Sequence, residues 1–335
     1  MIVTGANGFL GSYVVAALLQ KGHPVIGLKR EQSSTSEFNL IVKNELGDNH
    51  AHLIANFKWK IADILDITVL DEVFEPNSIV FHCAAKVAFN MQEADEMMAI
   101  NVEGTANVVN ACLKNNVKQL VHVSSTAALG RTDNATLIDE TTEWEDNDHN
   151  TQYAISKHLA ELEVWRGIEE GLNAVIVNPG IILGYGDWHK GSCRLFRNID
   201  RCMRFYTNGI NGFVDVHDVA NAMCYLADNA IVGQRFLLVS ENLSYRTVLN
   251  EIAESIHKPA PNIELKVRYK NLFLILVRLN LLFNPKSTLT PETVRTSLKK
   301  HQYSNAAILK VLNFKFNAIA DTIHLAGIQF QKENI

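Results

Sequence analysis

The sequence predicts an α/β fold built on a doubly wound parallel sheet, joined to a smaller, mostly helical C-terminal lobe. Two observations carry this. Short apolar, β-branched runs alternate with helical patterns up to residue 180, and the alternation is lost beyond Pro179. In chain order, a strand at Met1-Ile2-Val3 leads into a glycine-rich turn and an amphipathic run over residues 13–21. Strands are expected at 25–28, 79–82, 120–124 and 174–177, with helices at 69–74, 101–115 and 153–170. Short strands separated by helices build βαβ units, whose parallel sheet is covered on both faces. Right-handed crossovers then give a doubly wound arrangement.

Past Pro179, residues 180–187 and 188–192 read as loop, 236–239 as a strand, and 245–257, 271–283 and 291–298 as helices. This assigns residues 1–180 to the sheet domain, with 213–240 returning to it, and 181–212 and 241–335 to the second lobe. No repeat, low-complexity tract or long linker divides them, so one compact unit is expected.

At 335 residues, with 47% hydrophobic and 20% charged residues, the chain has the composition of a globular protein. A net charge of −5 gives no electrostatic case for a nucleic-acid partner. The 5 cysteines are odd in number and form no Cys-x-x-Cys pair, which argues against a disulfide framework and for a reduced, cytoplasmic setting. Met1-Ile2-Val3 already reads as strand, so no secretory leader is expected. The apolar segment 272–283 carries Arg278 and Asn280 and is short of the roughly twenty residues that span a bilayer; a buried or interface helix is expected. The 12 histidines show no His-x3-His spacing, so no metal is proposed.

Gly5-x2-Gly8-x2-Gly11 follows the first strand directly and opens the first helix. Its spacing departs from the common Gly-x-Gly-x-x-Gly. The physical roles still fit a dinucleotide: Gly5 for a tight turn, Gly8 for close backbone approach to a pyrophosphate, Gly11 for helix packing. Tyr153 and Lys157 lie four positions apart, roughly 400° around a helix, and so share one face. A lysine beside a phenol favours the phenolate and brings proton exchange closer to neutral pH.

With Asp63-Ile64, His82-Cys83-Ala84-Ala85, Asn101-Val102-x-Gly104-Thr105, Ser124-Ser125 and Asn178-Pro179-Gly180 in order, these motifs cover most of the first 220 residues. In them the chain resembles the extended short-chain dehydrogenase/reductase (NAD(P)-dependent epimerase/dehydratase) family, whose sheet domain is a Rossmann fold. The resemblance implies that Tyr153 is the general acid of carbonyl reduction. It further implies that Lys157 lowers the tyrosine pKa and binds the nicotinamide ribose, and that Ser125 hydrogen-bonds the carbonyl. Ser124 is the alternative serine. Asn101 matches a helix asparagine that orients the lysine, although a helix N-cap is an equally natural reading. The cofactor residues so implied are Gly5, Asn7, Gly8, Phe9, Leu10, Gly11, Lys29, Arg30, Asp63, Ile64, Ala84, Ala85, Lys86, Ser124, Tyr153, Lys157, Asn178, Pro179 and Gly180.

At the end of the second strand Lys29-Arg30 stands where an acid would take a ribose 2′-hydroxyl. A guanidinium pairs bidentately with phosphate, so NADP(H) is expected, with Glu31 leaving NAD(H) as the alternative. Family dehydratases carry an Asp-Glu pair after the catalytic Ser or Thr; here Thr126-Ala127 follows Ser125, and neither can do carboxylate chemistry. Asp139-Glu140-x3-Trp144 and the residues after Lys157 look more like dihydroflavonol-type and 3β-hydroxysteroid dehydrogenase-like reductases. Val87, Thr126, Trp188, Ser192 and Tyr206 are candidates for lining the substrate site, with His189 and Phe213 beside them, although aromatic residues in such a lobe are more often core.

The leading expectation is an NADP(H)-dependent reductase of a ketone or aldehyde in a small, moderately apolar molecule. A sugar-nucleotide epimerase using Tyr153 and a retained NAD, and a catalytically silent NADP(H)-binding regulator, are the alternatives. Relatives pair through sheet-domain helices, so a homodimer is the analogy.

Overall fold

The computed structural model describes residues 1–88, 91–130, 137–146, 150–266, 273–274, 277 and 290–333. The strands are β1 (Ile2–Thr4), β2 (Val25–Lys29), β3 (Phe57–Ile61), β4 (Ile79–His82), β5 (Gln119–Val123), β6 (Ala174–Pro179), β7 (Ile181–Leu183), β8 (Phe205–Tyr206), β9 (Ile210–Asp215), β10 (Gln234–Leu238), β11 (Glu241–Ser244) and β12 (Ile263–Glu264). The first-half helices are α1 (Phe9–Gln20), α2 (Ser36–Leu46), α3 (His50–Leu53), α4 (Ile67–Val73), α5 (Ala94–Met98), α6 (Gly104–Lys114) and α7 (Gln152–Glu169). They are followed by α8 (Arg194–Asp200), α9 (Val216–Asp228), α10 (Tyr245–Ser255), α11 (Pro291–Leu298), α12 (Ala306–Leu309) and α13 (Ile319–Glu333).

Seven strands form one sheet in the order β10-β6-β5-β4-β1-β2-β3, with every neighbouring pair parallel. Alternation along each strand divides its side chains between two cores. Val3, Phe81, Val121, Val175 and Val177 face α1, α2 and α9. Ile2, Val80, Leu120, Ala174 and Ile176 face α4, α6 and α7. The strand order reverses between β1 and β4, and a crevice at the carboxyl ends of the strands is where such sheets take ligands.

The structure corrects the sequence reading in places. Helix α1 is not amphipathic: Gly11 through Ala16, Leu18 and Leu19 are buried, because it lies between the sheet and α2 and α9. Residues 181–183, expected as loop, form β7, which pairs in parallel with β9 and so joins the sheet β11-β9-β7. Three apolar residues are too few to show a period; the strand is defined by its distant partner. The second lobe thus carries small sheets beside its helices. Its core includes Leu183, Phe196, Phe213, Ile252, Ile323 and Phe330.

The helix expected at 271–283 lies outside the described residues except for Phe273, Leu274 and Val277. Leu274 and Val277 are buried with Val294 of α11. Among the described residues no helix is long and apolar enough to cross a membrane.

Candidate active site

The glycine turn leaves β1 at Gly5, whose φ of +64° belongs to the left-handed region. A Cβ there would stand 2.7 Å from the backbone of Ala84, and one on Gly11 would stand 2.2 Å from the Gly5 carbonyl oxygen. Both glycines are therefore demanded by the fold itself. Gly8 differs: its Cβ would meet only the Gly5 oxygen, at 3.4 Å. The N-cap of α1 is Gly8, with no side-chain cap and no acid in the first turn. An uncapped helix N-terminus beside an open glycine fits a pyrophosphate on backbone N–H groups. Asn7 Nδ2 donates to the Ser34 carbonyl at 3.1 Å. Leu10 packs in the sheet core, and the Phe9 ring lies against Tyr13 and belongs to the cores of both lobes.

Helix α7 starts at a Thr151 cap, whose hydroxyl accepts from Ala154 N at 3.0 Å. Tyr153, half-buried, stands in its first turn and Lys157 in the next. Lys157 is 3% exposed, and its Nζ donates to the Val123 carbonyl at 2.8 Å. Burial lowers its pKa to about 8, against the raising fields of Glu161 and Cys83. Ser125 follows β5 and caps the short turn at 126–128, its Oγ accepting from Ala127 N at 3.1 Å. That bond uses an oxygen lone pair rather than the hydroxyl proton.

Asn101 lies inside a helical run, in a π-type turn spanning Ala99–Glu103, so the N-cap reading does not apply. Its amide clasps the Lys86 backbone, accepting from Lys86 N at 2.8 Å and donating to Lys86 O at 3.0 Å. The same Nδ2 donates to Ser156 Oγ at 2.9 Å, between Tyr153 and Lys157 in sequence. The Asn101 carbonyl accepts from the Thr105 hydroxyl at 2.6 Å.

That last bond fixes a relay. Thr105, having given its proton, must accept from His82 Nε2 at 3.0 Å. His82 Nδ1 then accepts from Thr4 Oγ1 at 2.7 Å, and Thr4 accepts from Ala84 N at 3.2 Å. Burial first, and the Lys157 charge second, lower the His82 pKa to about 3, so the ring stays neutral. His82 thereby ties the strand before the glycine turn to the helix that carries Asn101.

At the carboxyl end of β2, Lys29 Nζ reaches the Glu31 carbonyl at 3.4 Å and Arg30 is exposed. Asp63 closes a turn by accepting from Leu65 N at 3.0 Å, while buried Ile64 lies against Gly104 at the start of α6. Ala84 and Ala85 follow β4. The ammonium of Lys86 is drawn to Glu96 at 2.5 Å and Glu93 at 3.2 Å. The Ser124 hydroxyl donates to buried Glu161 at 2.6 Å. Asn178 and Pro179 end β6, and Gly180 packs so closely that a Cβ would come 2.4 Å from the Gly212 oxygen.

The family model for the NAD dependent epimerase/dehydratase family matches residues 1–238, which contain the whole of this constellation. The chain belongs to that family. Cinnamoyl-CoA reductase 1 of Petunia hybrida is 29% identical over 274 residues, covering 77% of this chain and 78% of the relative. Cinnamoyl-CoA reductase CAD2 of Medicago truncatula is 28% identical over 322 residues, covering 90% and 96%. The solved structure of gox2253 superposes with a TM-score of 0.81 at 26% identity, covering 99% of this chain and 98% of its own. This member of the epimerase/dehydratase family is an NAD(P)-dependent enzyme of the short-chain dehydrogenase/reductase type.

Of the residues expected to line a substrate site, several are engaged inside the second lobe. Trp188 is 8% exposed, packed on Tyr185, Phe196 and Phe330, with its Nε1 donating to Glu333 at 2.6 Å. Tyr206 is buried beneath the Arg246 guanidinium, 5.1 Å from the ring centroid, and Phe213 is fully buried. The Ser192 hydroxyl donates to the Ile182 carbonyl. His189 and Val87 are exposed, and Thr126 is buried after Ser125. Sequence reasoning did not select His82, Glu161 or Arg235 for a role. Glu161 carried a readable signal, one further helical turn along the face of Tyr153 and Lys157.

Proposed function

We propose that this enzyme is an NADP(H)-dependent reductase of a ketone or aldehyde in a small, moderately apolar molecule. The observation that carries the reading is a buried ammonium, lowered by desolvation to about 8, one helical turn from Tyr153 and beside the turn that holds Ser125. When bound, the cofactor supplies a hydride to the carbonyl carbon. Ser125 donates a hydrogen bond to the carbonyl oxygen, Tyr153 gives that oxygen its proton, and Lys157 stabilises the phenolate left behind. Gly8 and the N-terminus of α1 would hold the cofactor's pyrophosphate. Two facts support reduction over dehydration: relatives named as cinnamoyl-CoA reductases, and the absence of a carboxylate at Thr126-Ala127.

Arg30 is our candidate for the 2′-phosphate of NADP(H), with Lys29 beside it. Initial rates with NADPH and NADH on a panel of aromatic and aliphatic carbonyls test this. NADPH is expected to be preferred, and Arg30→Ala is expected to raise its KM about tenfold, the effect of losing roughly 1.4 kcal/mol, with little change for NADH. A clear preference of the wild-type protein for NADH would overturn the assignment.

A further inference from the structure

Glu161 is 2% exposed on α7, and its carboxylate gathers four donors. Oε2 accepts from Ser124 Oγ at 2.6 Å and from Asn178 Nδ2 at 2.7 Å. Oε1 accepts from Arg235 Nη1 of β10 at 3.0 Å and from Trp165 Nε1 at 3.3 Å. Asn178 Nδ2 also donates to the Ser125 carbonyl at 3.0 Å. One carboxylate thus holds the backbone turn at Ser124-Ser125 from two sides. Arg235 in turn grips the Glu140 carbonyl at 2.9 and 2.6 Å.

A buried carboxylate needs its charge balanced, and Arg235 does that. The position of Glu161 does something more, because Lys157 lies one turn before it. The other groups whose fields couple to Lys157 are neutral. Cys83, after β4, has its thiol pushed up to about 12 by burial. His82 on β4 and His122 on β5 are held neutral by burial. Tyr153 shares the helix face. Beyond Glu161, the charge of Arg235 is spent on Glu161 itself and on backbone carbonyls.

We propose that Glu161 is a positioning residue of the reaction, fixing the Ser124-Ser125 turn through Ser124 and Asn178 and supplying the negative charge that keeps Lys157 an ammonium. The kinetic part of this rests on the reductase reading; the electrostatic part does not. Removing the charge of Glu161 makes either Lys157 or Tyr153 easier to deprotonate, so the first alkaline step of that coupled pair falls whichever group gives up its proton.

The sign for stability follows from linkage. The folded pKa of Lys157 is below its unfolded value, so the folded state releases the proton first, and stability rises with pH between about 8 and the unfolded value of 10.5. A lower folded pKa moves the start of that rise downward. Tm against pH is measured from 6 to 10 for the wild type, Glu161→Gln, and Glu161→Gln combined with Arg235→Gln, which removes the stranded guanidinium if the single variant folds poorly. Lys157→Met supplies the baseline without this titration. The expected result is that the rise relative to Lys157→Met begins at least one pH unit lower in the Gln variants. The alkaline limb of kcat with NADPH should move down by the same amount, while KM for NADPH changes less than threefold. Glu161→Asp, which restores the charge, should return the limb to its wild-type position. Unmoved thermal and kinetic profiles in the Gln variants would overturn the inference and leave Glu161 a structural residue. A wild-type protein that reduces no carbonyl would instead overturn the reductase reading, with the thermal comparison still deciding on Glu161.

Discussion

Tyr153→Phe is expected to bind NADPH within a few-fold of wild type and to lower kcat for carbonyl reduction by about 10²–10⁴-fold, the usual contribution of a positioned proton donor. Phe keeps the ring, and the start of α7 is capped by Thr151 rather than by the phenol, so the helix should form unchanged. What is lost is the phenolic proton that Tyr153 is proposed to give to the carbonyl oxygen. Steady-state NADPH consumption and fluorescence titration of cofactor binding separate the two effects. Loss of turnover with retained binding supports the mechanism. Retained binding with every activity unchanged would favour a silent NADP(H)-binding regulator. Interconversion of UDP-sugars by the wild-type protein, with no NADPH consumption on carbonyl substrates, would favour an epimerase.

In the central sheet β1, β2, β4, β5, β6 and β10, with the helices α1, α4, α6 and α7, are legible from local patterns, whereas β3, α2 and α9 are not among the predicted elements. The glycine turn, the helix face shared by Tyr153 and Lys157, and the apolar runs at β4, β5 and β6 need only neighbouring residues to be read. What escaped depends on partners far away in sequence. Ile181-Ile182-Leu183 becomes β7 through pairing with Phe213, Val214 and Asp215. Helix α1 belongs here too: the amphipathic run expected over residues 13–21 is buried on both sides by the sheet and by α2 and α9.

The candidate site shows the same division. Spacing placed Tyr153 and Lys157 on one helix, and the order of motifs placed Ser125 and Asn101 near them. No spacing could show that Asn101 would clasp Lys86 and Ser156, or that Arg235, 74 residues beyond Glu161, would meet it. Trp188 illustrates the converse. An indole beside a glycine turn invites a binding role, but three aromatic neighbours and the Glu333 carboxylate take it into the core.

Gly8→Ala and Gly11→Ala should separate what the glycine turn does for the fold from what it does for the cofactor. At Gly11 an added Cβ would lie 2.2 Å from the Gly5 oxygen and 2.8 Å from its carbon. Gly5 cannot retreat, since its own Cα approaches the Ala84 backbone at a distance that leaves no room for a methyl group, and its φ is already positive. Gly11→Ala is therefore expected to destabilise the protein by about 2–3 kcal/mol or more, as overpacking against backbone does, and to weaken NADPH binding as a consequence. Gly8 has φ −91° and ψ 174°, which alanine adopts freely, and its Cβ would make only an ordinary 3.4 Å contact. Gly8→Ala should accordingly unfold within about 1 kcal/mol of wild type, yet bind NADPH at least about tenfold more weakly if, as proposed, the pyrophosphate approaches the backbone at this residue, where the methyl group would stand. Urea denaturation and cofactor titration on both variants make the comparison. Wild-type NADPH affinity in Gly8→Ala would remove the pyrophosphate from this turn, and a stability loss equal to that of Gly11→Ala would show that Gly8 serves the fold instead.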